Sequence, residues 1–116
     1  MKPELQNAAI AEACGWTSLR KEPFADELLC RWNELMGTDR NGKHDQHVPN
    51  YTGDLNAMHE AEVYAIANIH EFDSFYWIKL AEVTKCSRLD GKQIGHATAA
   101  QRSEAFLRTI GKWVEE

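Results

Sequence analysis

The chain has 116 residues, of which 43% are hydrophobic, 9% aromatic and 27% charged, with seven glycines and three prolines. That length suits one domain with a real core and leaves no room for a dinucleotide fold plus a substrate domain, and the composition excludes disordered, collagenous and repetitive chains. Thirteen Lys and Arg against eighteen Asp and Glu give a formal net charge of -5 at pH 7, which argues against a phosphate-driven nucleic-acid binder while allowing a local basic patch.

The amino terminus, MKPELQN, carries no hydrophobic export core, and no run of about twenty apolar residues is present, so a cytosolic protein without a membrane anchor is expected. Cys14, Cys30 and Cys86 are odd in number and far apart. They suit reduced, buried thiols better than a disulfide frame or a four-thiolate metal site.

Residues 3–14 predict a short helix: Pro3 and Glu4 favour its start, Leu5, Ala9, Ile10 and Ala13 share a face, and Gly15 terminates it. Trp16 is then placed to fold back over the helix end. In residues 24–36, Phe24, Leu28, Trp32, Leu35 and Met36 return at helical spacing behind Pro23, with Gly37 as a stop, so an amphipathic helix is expected. A strand through residues 28–32 is the alternative. Residues 37–50 read as a polar surface loop, in which Asn41 and Gly42 form a tight-turn signal able to join two short strands.

A long helix is expected from Thr52, as its cap, to Ile69 or His70, about 27 Å at 1.5 Å per residue. Leu55, Met58, Ala65, Ile66 and Ile69 form its apolar face, and Glu62 falls inside that stripe. Residues 74–84 support a helix capped by Ser74, with a strand as the alternative because aromatic and branched residues are dense there. Residues 87–96 read as a turn-rich connection. Thr98 and Gln101 have the spacing of a capping box, and the helix behind them places Ala99, Ser103, Phe106, Leu107, Ile110, Trp113 and Val114 on one side. Arg102, Glu104, Arg108 and Lys112 are assigned to the opposite side.

The chain lacks a glycine-rich phosphate loop, paired thiolates, a nucleophile elbow and a metalloprotease helix. Asn50, Tyr51 and Thr52 match the glycosylation pattern, but suit a loop exit and helix cap better. His44, Asp45 and His47, with His70 or His96, are metal-ligand types without a recognised ligand frame; surface histidines are the preferred reading, and no metal or other cofactor is expected. Asp54, His59 and Glu62 form a candidate polar cluster. His59 and Glu62 are three apart and can face one another, so Glu62 either acts in an acid–base pair or closes a structural hydrogen bond to a neighbouring element, and the second is preferred. Tyr76 and Trp77, together with Arg102, Arg108 and Lys112, form a candidate binding surface, weighed against a core aromatic cluster beside a solvated helix face.

Three runs do more than the general pattern: ELQNAAIAEACGW at residues 4–16, NYTGDLNAMHEAE at residues 50–62 and HATAAQRSEAFLRTIGKW at residues 96–113. They resemble segments of the phage ABA sandwich domain family, small proteins of bacteriophages and prophages. The resemblance implies a single domain over residues 1–116, of α+β class: a helix-rich, compact α/β sandwich with a small sheet. The strands of that sheet would come from residues 16–20, 28–32 or 75–94. No residue role carries over from the family. Members of that family generally have no assigned activity; compact size, negative charge and the absence of enzyme motifs suit a small phage accessory protein in the host cytoplasm that binds a host or phage macromolecule, such as a host or phage protein, and antagonises a host defence. Two alternatives stand beside it: a small hydrolase or ligand-binding protein using Glu62 and His59, and a structural or homo-oligomeric module.

Overall fold

The computed structural model describes residues 1–25, 31–84 and 96–115. Helix α1 spans Pro3–Ala13, with Pro3 in the first turn, where a missing N–H interrupts no helical bond. It buries Gln6, Ile10 and Ala11, whereas Leu5, expected on the inner face, is 54% exposed. Cys14 is buried just beyond it, and Gly15 ends the turn at a φ of +92°, a left-handed conformation that glycine adopts without a Cβ clash.

Strands β1 (Thr17–Ala25), β2 (Arg31–Thr38) and β3 (Gln46–His47) form an antiparallel sheet in the order β1-β2-β3. The helix expected over residues 24–36 is therefore corrected. Phe24 pairs with Trp32 and Ala25 with Arg31 across a hairpin, and such cross-strand partners override a local helical spacing. Residues 28–30, where the alternative strand was expected to begin, lie outside the described residues. Pro23 opens no helix; it pairs opposite Asn33 in β1, an edge strand that tolerates a residue without an N–H.

Between the pairs Thr17–Thr38 and Arg20–Met36, two residues of β1 face one of β2. Ser18, at a φ of +53°, takes up that bulge. Gly37 lies opposite: a Cβ there would stand 2.8 Å from Leu19 Cδ2 and 3.1 Å from the Thr17 carbonyl oxygen, so a larger residue would push the Leu19 methyl and the strand aside. The turn signal at Asn41 and Gly42 does join two strands, β2 and β3. Asp39 Oδ1 accepts from the backbone N–H groups of Asn41 and Lys43, both at 2.9 Å, and Gly42 has a φ of +83°.

Helix α2 spans Leu55–Asn68. Its cap is Asp54 rather than Thr52: Asp54 Oδ1 accepts from Asn56 N at 3.0 Å and Ala57 N at 3.4 Å. Glu71, at a φ of +60°, turns the chain into α3, Phe72–Val83. The helical alternative for residues 74–84 is therefore the observed one, begun two residues early and without Ser74 as its cap; no strand occurs among the described residues of 75–94. Helix α4 spans Ala99–Thr109 and opens on the expected capping box, Gln101 N to Thr98 Oγ1 at 3.1 Å and Thr98 N to Gln101 Oε1 at 2.9 Å. The helix stops before Trp113 and Val114, which lie in the tail that follows.

The architecture is α+β: a three-stranded antiparallel sheet and, among the described residues, four helices. Helices α3 and α4 pack most closely, α1 and α2 close the core around them, and α1 meets β1. The centre is aromatic. Phe72 lies 4.9 Å from both Tyr76 and Phe106 between ring centroids, with Ile10, Met58, Leu80 and Leu107 fully buried around them. Ser103 Oγ, 2.8 Å from the Ala99 carbonyl oxygen and 3.1 Å from that of Tyr51, ties α4 to the segment leading into α2. Among the described residues no helix is long and apolar enough to cross a membrane.

Candidate functional site

Glu62 lies on the buried face of α2, beside Met58, Ala61 and Ala65, and is 3% exposed. A lone carboxylate in such surroundings would be strongly destabilising. Its partner is Arg102 of α4, itself 4% exposed, whose Nη1 donates to Glu62 Oε2 at 2.9 Å and Oε1 at 3.1 Å. Arg102 Nε donates to the Ala97 carbonyl oxygen at 3.2 Å, which fixes the guanidinium plane. Glu62 thus closes a junction between two helices, the structural reading preferred from the sequence.

The pair does not end in the core. His59 Nδ1 lies 3.2 Å from Glu62 Oε1, while half of the His59 side chain is exposed. His59 thereby stands at the solvent edge of the Glu62–Arg102 pair. The Tyr76 hydroxyl is buried and meets no partner with hydrogen-bond geometry. Burial, followed by the nearby Glu62 carboxylate, pushes its ionisation well above the ordinary phenol range, with Arg102 opposing. Tyr76 is therefore a neutral core ring.

Beyond His59, the outward face of α2 forms one wall of an open groove of about 530 Å³, with His59, Glu60, Val63, Tyr64 and Ala67 along it and Asn68 at its end. Arg40, from the turn between β2 and β3, closes the other side with its guanidinium 4.9 Å from the centroid of the Tyr64 ring. Gly15 makes this placement possible: a Cβ at residue 15 would stand 3.1 Å from Arg40 Cβ and 3.2 Å from the Tyr64 hydroxyl. Arg40 and Glu60 also line a smaller cavity of about 190 Å³ with Cys14, Trp16 and Tyr51. Burial pushes the Cys14 thiol up to about 12, with the Arg40 charge opposing, so this thiol is neutral and poorly nucleophilic.

Of the candidate cluster, His59 and Glu62 come together and Asp54 does not, because its carboxylate caps α2. The candidate binding surface is not assembled. Tyr76 and Arg102 are in the core, where their neighbours at helical spacing are apolar, and Trp77 is half-buried with Nε1 donating to Asp73 Oδ1 at 2.7 Å. Arg108 is exposed but engaged by Glu104 at 3.1 Å and Glu115 at 2.7 Å. It also lies 5.2 Å from the centroid of the Trp113 ring, and Lys112 stands exposed nearby. In the β2–β3 region, Thr38 Oγ1 and His44 Nδ1 are 3.0 Å apart and Asp45 pairs with Arg20. Among the described residues no three His, Cys, Asp or Glu side chains are arranged to hold a metal ion.

Sequence reasoning missed Arg40, Glu60, Val63 and Tyr64 as groove residues. The available signal was Val63, a branched apolar residue on the outward side of α2 and 69% exposed. No family model, no curated protein and no solved structure matches the chain. This corrects the viral, phage and prophage assignment and the host-interaction role drawn from it: three short runs of similar residues do not extend to a family match, and nothing else ties the chain to a virus or a host.

Proposed function

We propose that this chain is a binding domain that recognises a protein partner through the outward face of α2. The observation that carries the reading is Arg40: its guanidinium, stacked on Tyr64 at 4.9 Å, forms no salt bridge with any described residue and faces a groove with an exposed apolar floor at Val63. Lys21 is paired with Glu4 and Arg108 with Glu104 and Glu115, whereas Arg40 is held over an aromatic ring. An oriented, unneutralised arginine beside exposed apolar surface is the residue combination that interface centres favour. The proposal is tested by immobilising the intact chain, Val63→Asp and Arg108→Ala in a lysate of the organism that encodes it. A protein retained by the wild type and by Arg108→Ala but lost with Val63→Asp, at equal thermal midpoints, is the expected result. Equal capture by all three would overturn the reading.

A second reading, acid–base chemistry on a small molecule, is favoured by one feature, the half-exposed His59 imidazole with Nδ1 3.2 Å from the Glu62 carboxylate. It requires a substrate whose turnover is lost in His59→Gln with the fold retained.

A further inference from the structure

The groove's polar groups are few. Arg40 supplies donors only. The Glu60 carboxylate only accepts. Asn68 spends one Nδ2 hydrogen on the Tyr64 carbonyl oxygen at 2.9 Å and keeps a second N–H and its amide oxygen. One cation and one carboxylate match a ligand with a single negative charge and at least one N–H. They mismatch a polyanion, which Glu60 and the net charge of -5 would repel.

His59, Glu60 and Val63 fall within one helical turn, about 6 Å of rise, so the charge, the N–H and the apolar group of the ligand must lie close together. In the last residue of a polypeptide, a carboxylate, an amide N–H and a side chain all radiate from one Cα. The open side of the groove leaves room for the rest of that chain to depart.

Building on the binding reading above, we propose that the groove receives the C-terminal residue of a protein partner, its carboxylate on Arg40, its N–H on Glu60, and an apolar side chain against Val63 and Ala67. The Tyr64 ring lies 4.9 Å from the guanidinium carbon, and a guanidinium so placed can offer a carboxylate two-point contact.

The test titrates the ¹⁵N-labelled full chain with N-acetyl-alanyl-leucine and, separately, with its C-terminal amide, both at millimolar concentrations and neutral pH. The expected result is saturable shifts of Arg40 and of residues 59–68 with the acid, about tenfold weaker binding of the amide, and loss of that preference in Arg40→Gln at an unchanged thermal midpoint. Equal binding of acid and amide in the groove would overturn the carboxylate proposal and leave the binding face standing. Shifts elsewhere, or with neither peptide, would overturn it too, and the binding reading falls with it only if protein capture is also indifferent to Val63→Asp. An acid preference that survives Arg40→Gln would overturn the role given to Arg40.

Discussion

Replacing Arg102 with methionine isolates the buried charge pair. The substitution keeps a long unbranched side chain and removes both hydrogen bonds to Glu62, at 2.9 and 3.1 Å, and the one to the Ala97 carbonyl oxygen. Glu62, 3% exposed, is left with only the half-exposed His59 as partner. Breaking a buried pair from one side costs about 3–5 kcal/mol, because the remaining charge stays desolvated. For a chain of 116 residues, an unfolding entropy of about 2.1 cal/mol/K per residue makes that a fall of roughly 12–20 °C in thermal midpoint. Against a total stability of about 5–15 kcal/mol this is a large fraction. The assay is thermal and urea unfolding followed by circular dichroism, with Glu62→Met/Arg102→Met beside the single variant. The double variant should recover most of the loss, since a well-packed apolar pair can replace an ionic one at little cost. A loss below about 1 kcal/mol in Arg102→Met, or a double variant as unstable as the single, would refute the argument that the cost lies in the orphaned charge.

Two further outcomes follow from local features. Thr98→Ala removes the side-chain half of the capping box on α4 and should destabilise the fold by about 1 kcal/mol, read in urea unfolding, while Thr98→Ser should retain most of the stability. The folded-state ionisation of Cys14 is raised from 9.0 to about 12, mainly by burial. The unfolded chain therefore releases this proton first, and the contribution of Cys14, complete below pH 9, is lost as the pH rises toward 12. Stability measured between pH 8 and pH 11 should fall more steeply for the wild type than for Cys14→Ala, and peptide mapping should show native Cys14 resisting a thiol reagent that labels it in denaturant.

Helices with their own start signals and internal period were legible in the sequence. The capping box of α4, the proline-led start of α1 and the long period of α2 all act through residues within four positions of one another. The hairpin was not legible for the opposite reason. Phe24 and Trp32 are eight apart, a spacing that fits one face of a helix, and their actual relation as cross-strand partners depends on a turn and a register that no local window contains. Pro23 compounded the error, since a proline opens a helix or sits on an edge strand equally well. Gly37 carried the missing information, but only with Leu19 and Thr17 packed against it does a glycine there mark a bulge rather than a helix end.

The candidate site divides along the same line. Glu62 was conspicuous as a charge within an apolar stripe, and that anomaly was read against His59, its neighbour in sequence. Arg102 carries the matching anomaly: Ala99, Ala105 and Phe106, at its own i-3, i+3 and i+4 positions, are all buried, so the helical wheel that singled out Glu62 also turns Arg102 inward. Two opposite charges, each misplaced on a separate helix, are one signal, because each alone would be prohibitively unstable and together they specify which helices meet and at what rotation. The Arg102 pairing also changes what His59 means. With Glu62 paired to Arg102 from the core side, its contact with His59 is not needed to compensate the buried charge. The charge pair that fixes two helices also sits directly behind a residue lining the groove, which is why the buried junction and the exposed face beside Arg40 are properties of a single arrangement.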